Sequence, residues 1–393
     1  VHGLKTPYKA RVQVVIINAL TSISSWSNRR SHDKLIIKDG SFPGKDMVMT
    51  GGRNISIDYY GISKDGSRNP DTYLDLEILL RSSELARDGS GDITVGDVSS
   101  IYYTLLFLHK GNLRIQPIPD DQDTDIFAPS DRYEGYRRKA QEALEFIKNL
   151  PGMQEAYAEM PRYLSQGYSV SEVRLAHELG NLVSEDVVGN VEEIKSRNLN
   201  SIGAILASVF EEAGKEDRVQ GNFRIVSPYL FIARYEDKEG RVVHDGATAM
   251  LQALDEHPGL SFEIITNSVL TSDNFFTQSV IDMDTAPRLL LTPEMQETWV
   301  GSEEQSESNQ ELINSDEWQK LVDHPRMRIY ETGKLDSVLI GGDEHYGKLH
   351  AKFFFSERFG FVGTSNFDYR SRLYNNELGF YYLDLALSSR LNE

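Results

Sequence analysis

The chain alternates between short apolar runs and longer stretches whose apolar residues recur at helical spacing. Runs rich in β-branched and aromatic residues indicate buried strands. They lie at 11–18, 35–37, 223–231, 262–267 and 353–355. Apolar residues three and four positions apart indicate helices. These lie at 138–150, 170–188, 202–213 and 247–255. Strands that alternate with helices predict an α/β fold.

One polar pattern occurs twice, each time around a predicted strand. It consists of a histidine, a lysine two residues later, a carboxylate after the strand and an asparagine after a glycine. The first copy comprises His32, Lys34, Asp39 and Asn54, and the second comprises His350, Lys352, Glu357 and Asn366. Alternate residues of a strand share a face, so each histidine projects beside its lysine. Two imidazoles, two ammonium groups and two amides together suit an anionic phosphodiester.

A further carboxylate follows each copy at nearly the same offset, Asp58 after His32 and Glu377 after His350. A histidine that attacks a substrate or transfers a proton needs its second ring nitrogen held by an acceptor. We therefore expect Asp58 and Glu377 to orient the histidines. The carboxylates at the ends of the motif strands are expected to satisfy local backbone or position turns; these are Asp39 and Glu357.

The doubled pattern H-x-K-x4-D, followed by G-[GST]-x-N, resembles the phospholipase D superfamily. The segments most similar to bacterial cardiolipin-synthase-like members are 30–34, 51–55, 58–60, 73–77, 363–371 and 375–379. Glu357 stands where that family usually has aspartate. The resemblance implies two similar phospholipase D-type domains, each a mixed sheet flanked by helices. It also implies a pseudo-twofold active site between the domains.

The resemblance implies domain limits and a mechanism as well. Residues 1–110 and 222–393 would form the two catalytic domains, with a mainly helical insertion at 111–221. His32 would attack phosphorus to form a phosphohistidine, and His350 would protonate the leaving alcohol and then activate water or an acceptor alcohol. The transition-state charge would be stabilised by Lys34, Lys352, Asn54 and Asn366. The implied chemistry uses neither a cofactor nor a metal.

The two halves are unequal upstream of their motif strands. Two predicted strands and a helix precede the second motif, but only the strand at 11–18 precedes the first. A parallel sheet without its inner strand would have an unpaired apolar edge. We therefore expect that the natural protein extends upstream of Val1, or that a partner chain completes the first domain.

The net charge of −19 narrows the choice of substrate. Nucleic-acid binding depends on Lys and Arg side chains that neutralise phosphates, so nucleic acid is a disfavoured substrate. The chain has no cysteine, no apolar run long enough to span a bilayer and no signal-peptide pattern. We expect a soluble protein, exported by a bacterium to the periplasm or the exterior, that contacts membranes only peripherally.

The favoured function is a phospholipase D-type phosphodiesterase that degrades phospholipid at a membrane surface, as an exported toxin would. The alternatives are a cardiolipin synthase or other phosphatidyl transferase, a nuclease or other phosphodiesterase of the superfamily, and an inactive binding protein. The intact paired motifs argue against inactivity. Within the insertion, several side chains either pack internally or line an acyl-chain groove; these are Tyr157, Met160, Tyr163, Leu164 and Tyr168.

Overall fold

The structure is a computed structural model, and it describes most of the residues that carry the paired pattern. The described residues are 13–17, 29–56, 59–61, 63, 67, 69, 72–82, 93–115, 130–183, 191–215, 221–230, 234–236, 239–267, 324–332 and 348–392. The chain divides into two compact units. The smaller comprises Val1–Ser27, Ser63–Arg68 and Tyr102–Ser169, and the larger comprises Asn28–Ile62, Asn69–Ile101 and Val170–Glu393.

The described strands and helices are numbered here in chain order. The strands are β1 (Val14–Ile16), β2 (Arg30–Ser31), β3 (Leu35–Lys38), β4 (Met47–Gly51), β5 (Tyr73–Leu74), β6 (Glu77–Leu80), β7 (Leu113–Ile115), β8 (Glu172–His177), β9 (Gly221–Val226), β10 (Arg234–Glu236), β11 (Val242–Asp245), β12 (Leu260–Asn267), β13 (Met327–Thr332), β14 (Lys348–Leu349), β15 (Phe353–Phe355), β16 (Phe359–Gly363), β17 (Asn375–Asn376) and β18 (Leu378–Leu383). The helices are α1 (Val95–Phe107), α2 (Ser130–Asn149), α3 (Pro151–Tyr163), α4 (Gly180–Val183), α5 (Val191–Arg197), α6 (Ile202–Lys215), α7 (Gly246–Glu256), α8 (Tyr369–Leu373) and α9 (Leu385–Leu391).

The smaller unit contains α2, α3 and a two-stranded antiparallel sheet of β1 and β7. Helix α2 confirms the helix predicted at 138–150 and begins earlier, at Ser130. Leu150 is extended, and Pro151 then occupies the first turn of α3. Proline is favoured at this position because its fixed φ suits a helix start and its missing N–H would have no helical partner. The proline therefore separates two helices.

The larger unit contains a mixed seven-stranded sheet in the order β13-β12-β9-β15-β16-β18-β8. Strands β9, β12 and β13 are parallel, and the other neighbouring pairs are antiparallel. The strands predicted at 223–231, 262–267 and 353–355 are confirmed as β9, β12 and β15. Helices α6 and α7 confirm those predicted at 202–213 and 247–255, and both pack on the sheet's apolar core. That core includes Phe223, Ile225, Ile264, Phe354 and Phe361.

The first motif strand, β3, lies in a second sheet of the larger unit. This sheet is antiparallel in the order β3-β4-β6 and confirms the strand predicted at 35–37. Among the described strands, β3 pairs only with β4, whereas β15 of the second motif pairs with both β9 and β16. The strand expected upstream of the first motif, β1, pairs instead with β7. The fold is therefore α/β with mixed sheets flanked by helices.

The helix predicted at 170–188 is wrong over 172–177, and within the described part of that range only Gly180–Val183 is helical, as α4. Residues 172–177 form β8, which pairs with β18 along six residues at the edge of the large sheet. Leu175 and Ala176 are buried there. Pairing satisfies the backbone N–H and C=O groups on the edge of β18, and such tertiary pairing overrides a local helical spacing.

Candidate active site

The first histidine is held by a strand from the opposite end of the chain. Strand β2 pairs in parallel with β17, and the backbone N–H of His32 donates to the carbonyl of Asn376. His32 Nδ1 lies 3.0 Å from Glu377 Oε2 and 3.1 Å from the carbonyl oxygen of Thr364. A carbonyl can only accept, so Nδ1 carries the proton. The lone pair of the neutral ring is then on Nε2.

Glu377, the partner of His32, is completely buried and fully hydrogen-bonded. Its carboxylate accepts from Thr364 Oγ1 at 2.6 Å, Ser371 Oγ at 2.8 Å and Asn375 Nδ2 at 3.2 Å. Burial alone would raise the pKa of Glu377, but the charge of His32 and the hydrogen bonds from His32, Thr364 and Ser371 lower it below its ordinary value. The carboxylate is therefore kept ionised as the anchor of His32.

The second histidine repeats this arrangement with other residues. Strand β14 pairs in parallel with β5, and the backbone N–H of His350 donates to the carbonyl of Leu74 at 2.8 Å. His350 Nδ1 lies 2.9 Å from Asp75 Oδ2, and both side chains are buried. Lys352 Nζ also lies 3.0 Å from Nδ1, but it donates to the carbonyl of His350. We therefore assign the Nδ1 proton to the hydrogen bond with the Asp75 carboxylate, which leaves the lone pair of neutral His350 on Nε2.

Each histidine is thus held by a carboxylate that directly follows the partner strand. The predicted residue Glu377 does orient a histidine, and that histidine is His32 of the first copy. Asp58 lies outside the described residues. Asp75 was missed as a site residue, although its segment 73–77 was part of the family resemblance. The shared signal is a carboxylate followed by leucine, present at Asp75-Leu76 and at Glu377-Leu378.

The two motif lysines supply positive charge beside the histidines. Lys34 Nζ donates to the carbonyl of His32 at 2.8 Å, and Lys352 Nζ donates to the carbonyl of His350. Burial lowers the pKa of Lys34, and the charges of Glu377, Asp33 and Asp75 oppose this decrease. Lys34 therefore lies in the electrostatic field of both orienting carboxylates.

The two motif asparagines have different surroundings. Asn54 Nδ2 donates to Tyr59 Oη at 2.7 Å, and that hydroxyl lies 3.4 Å from His350 Nε2. The Tyr59 ring stacks on Tyr73 with centroids 4.3 Å apart. Within the described residues, Asn366 Oδ1 is buried without a hydrogen-bond partner. Tyr59 is a second site residue that the sequence pattern did not identify.

The carboxylates at the ends of the motif strands are both exposed. Asp39 has a left-handed backbone (φ 52°), and its carbonyl accepts from the N–H of Phe42 in a turn. The Glu357 side chain lies beside Gly221, where an added Cβ would be 3.2 Å from the carboxylate. Neither residue contacts a motif histidine in any described hydrogen bond.

A buried polar network supports the backbone around Glu377, which lies between β17 and β18. Lys195 Nζ donates to Glu178 Oε2 at 2.5 Å and to Asn181 Oδ1 at 3.0 Å. Asn181 Nδ2 in turn donates to the carbonyls of Arg372 and Asn375. The N–H of Glu178 donates to the carbonyl of Glu377 at 2.9 Å. Glu178, Asn181 and Lys195 therefore fix the backbone beside the carboxylate that holds His32.

Gly52 lets its backbone approach both Asp75 and the carbonyl of His350 closely. A Cβ added at Gly52 would lie 2.2 Å from Asp75 Oδ1 and 2.7 Å from the carbonyl oxygen of His350. We expect Gly52→Ala to displace Asp75 and to lower kcat/KM by about 10²-fold, as small misplacements do. Steady-state kinetics on a chromogenic phosphodiester would measure this loss.

The matched control for this prediction is Gly135→Ala in α2, where an added Cβ meets nothing within 4 Å. Gly135→Ala should leave kcat/KM unchanged, and its helix should gain slightly in stability. Thermal unfolding of both variants would separate local displacement from global loss of structure. A Gly52→Ala protein with wild-type kcat/KM would contradict the close approach.

In the described part of the chain, no three His, Cys, Asp or Glu side chains converge as metal ligands would. Nor is any helix among those residues both long and apolar enough to cross a bilayer.

Comparisons with known proteins give only distant similarities. No protein-family model and no curated protein matches the chain. Among solved structures, phosphatidylserine synthase from Haemophilus influenzae Rd KW20 is 15% identical with a TM-score of 0.43, over 92% of this chain and 60% of that one. Nuc, a phospholipase D family member from Salmonella typhimurium, is 10% identical with a TM-score of 0.27, over 57% of this chain and 90% of that one.

NucT from Helicobacter pylori is 13% identical with a TM-score of 0.26, over 56% of this chain and 92% of that one. This chain thus spans 60% of the length of the phosphatidylserine synthase. Similarities at these scores assign neither a family nor an activity. The function is therefore inferred from the geometry of the two histidine clusters.

Proposed function

We propose that this chain cleaves phosphodiesters through a phosphohistidine intermediate. The observation that supports this proposal is the doubled histidine–carboxylate pair, His32 with Glu377 and His350 with Asp75. Each carboxylate fixes the proton on Nδ1 and leaves Nε2 for chemistry. A two-step displacement requires one such Nε2 to attack and another to transfer a proton.

His32 is the proposed nucleophile, and His350 is the proposed acid. The side chain of His32 is 29% exposed, whereas that of His350 is 6% exposed, so His32 is the easier one for substrate to reach. In the first step, His32 Nε2 forms a bond to phosphorus while the bond to the leaving oxygen breaks. Protonated His350 gives its Nε2 proton to that oxygen and becomes neutral.

The second step reverses the proton transfer. Neutral His350 takes a proton from water, or from an acceptor alcohol, as the oxygen attacks phosphorus and the bond to His32 breaks. Water gives hydrolysis, and an alcohol gives transfer of the same group. The developing negative charge would be stabilised by Lys34, Lys352, Asn54 and Asn366, which supply ammonium and amide donors.

A phospholipid is the proposed substrate, with its phosphatidyl group carried on His32. The net charge of −19 opposes a polyanionic nucleic acid, whose binding draws on clustered Lys and Arg. A phospholipid headgroup presents a single phosphodiester and lacks that repulsion along its length. Release of phosphatidate by water is the favoured outcome, and phosphatidyl transfer to an alcohol is the alternative from the same intermediate.

A substrate panel tests this proposal. The protein would be incubated with phosphatidylethanolamine, with phosphatidylglycerol and with plasmid DNA, and products would be followed by ³¹P NMR and gel electrophoresis. We expect phosphatidate from at least one lipid, because the charge of the protein favours a single phosphodiester over a polyanion. Added glycerol would divert part of that product if the intermediate accepts alcohols.

The negative control for this panel is the double variant His32→Ala/His350→Ala, which should release no phosphatidate and leave the plasmid intact. The matched control is His257→Ala, because His257 lies beyond α7 and makes no described contact with the motif residues. Cleavage of plasmid with both lipids left intact would refute the phospholipid proposal.

A further inference from the structure

The larger unit contains a cavity of about 800 Å³ beside the second motif. Helices α6 and α7 form one wall, and the apolar face of the seven-stranded sheet forms the other. Most of the wall is apolar, including Ile202, Leu206, Phe210, Phe223, Met250 and Phe354. Its size lies in the range of sites that bind small organic ligands. An apolar chamber of this size suits a hydrocarbon.

One end of the same cavity is polar. Lys352 and Asn366, two of the proposed phosphate-binding residues, belong to its lining, and so does Ser365. The cavity therefore joins a place for phosphate to an apolar chamber, which is the division found in a phospholipid.

We infer that this cavity binds one acyl chain of the substrate, an inference that rests on the proposed function. The acyl chain would lie between α6 and the sheet while its phosphate contacts Lys352 and Asn366. The continuity of the cavity with the phosphate-binding residues favours this occupant over a protein segment. Burial of each methylene should raise affinity roughly fourfold, by the ordinary hydrophobic contribution.

The acyl chain would enter the cavity along an exposed stripe of α6. Gly203, Ala207 and Glu211 are exposed, lie one helical turn apart and line the cavity. A Cβ added at Gly203 would meet no atom nearer than Ser201 Oγ at 4.0 Å. Larger side chains on this stripe can therefore narrow the cavity without disturbing the core.

Binding of hexyl, octyl and decyl phosphonate, measured by calorimetry, tests the inference without requiring turnover. Affinity for the wild-type protein should rise roughly fourfold per methylene. In Ala207→Trp and in Gly203→Leu, the affinity should no longer depend on alkyl chain length, while the affinity for inorganic phosphate should not change. Gly203→Leu improves helix propensity, so the helix should remain folded.

The matched control is Asp255→Trp, an exposed position on α7 that does not line the cavity. It should keep the wild-type dependence on chain length. The inference would be overturned if the affinity of the wild-type protein did not depend on alkyl chain length. It would also be overturned if both cavity variants kept the wild-type dependence. Failure of the proposed function would give a different result. The protein would not turn over bis(4-nitrophenyl) phosphate, although its affinity for the phosphonates would still rise with alkyl chain length.

Discussion

Replacing His350 by alanine is expected to leave the phosphoryl group trapped on His32. With bis(4-nitrophenyl) phosphate, the leaving phenolate needs little protonation, so the first step should still proceed. The second step lacks its general base and should slow by 10²–10⁴-fold, a range typical of proton-transfer groups. The phosphohistidine should therefore accumulate, and mass spectrometry of the peptide containing His32 should show the added group.

The His32→Ala variant should behave differently, because it has no nucleophile. We expect turnover to fall by about 10⁶-fold, as in enzymes that lose the attacking side chain, with no covalent adduct. The His257→Ala protein serves as the control and should match the wild type. An adduct found on His350 in the His32→Ala variant would reverse the proposed order of action.

Removing the charge of either orienting carboxylate is expected to cause the next largest loss. Glu377→Gln and Asp75→Asn preserve side-chain size but remove the negative charge beside Nδ1 of His32 or His350. At His350 the proton on Nδ1 is then no longer fixed, and we expect Asp75→Asn to lower kcat by about 10⁴-fold, as when a histidine adopts the wrong tautomer. The ¹⁵N chemical shifts of His350 should show this change directly, with Nδ1 and Nε2 exchanging roles, whereas the Thr364 carbonyl still accepts from Nδ1 of His32 in Glu377→Gln.

The control for this pair is Glu357→Gln, an exposed carboxylate of the second motif. It should leave both kcat and the imidazole shifts unchanged. Wild-type kcat in Asp75→Asn, with unaltered shifts, would remove the carboxylate from the mechanism.

Glu377 should also influence stability in a pH-dependent way. Its pKa in the folded protein is below the ordinary 4.5, so the unfolded chain binds more protons in this range and the folded state is favoured at higher pH. The contribution is complete above pH 4.5 and is lost as pH falls through the folded value. The stability difference between wild type and Glu377→Gln should therefore shrink below pH 4.5, as measured by urea unfolding.

The chemistry of the site could be predicted because it depends on local spacing. A histidine and a lysine two residues apart on a strand share a face, and the pattern occurs twice, at His32 and at His350. Most strands and helices were also predictable from apolar runs, as β9, β12 and α7 show. These features are encoded within a few consecutive residues.

The orienting carboxylates depend on pairing between distant strands and could not be predicted in full. Asp75 reaches His350 only because β5 lies beside β14, and no local pattern specifies that neighbour. Tyr59 was missed for the same reason, since its role follows from its contacts with Asn54 and His350. The error at 172–177 arose where the edge of β18 imposed a strand on residues with helical spacing.

The network of Lys195, Glu178 and Asn181 affects how the chain can be divided. These residues lie in the stretch that the sequence assigns to an insertion, yet their hydrogen bonds hold the carbonyl of Glu377 and the backbone that precedes it. Glu178, Asn181 and Lys195 therefore cannot be exchanged without regard to the segment around Glu377. A chimera that replaces this stretch would have to restore an amide at position 181, or the His32 anchor would lose its support.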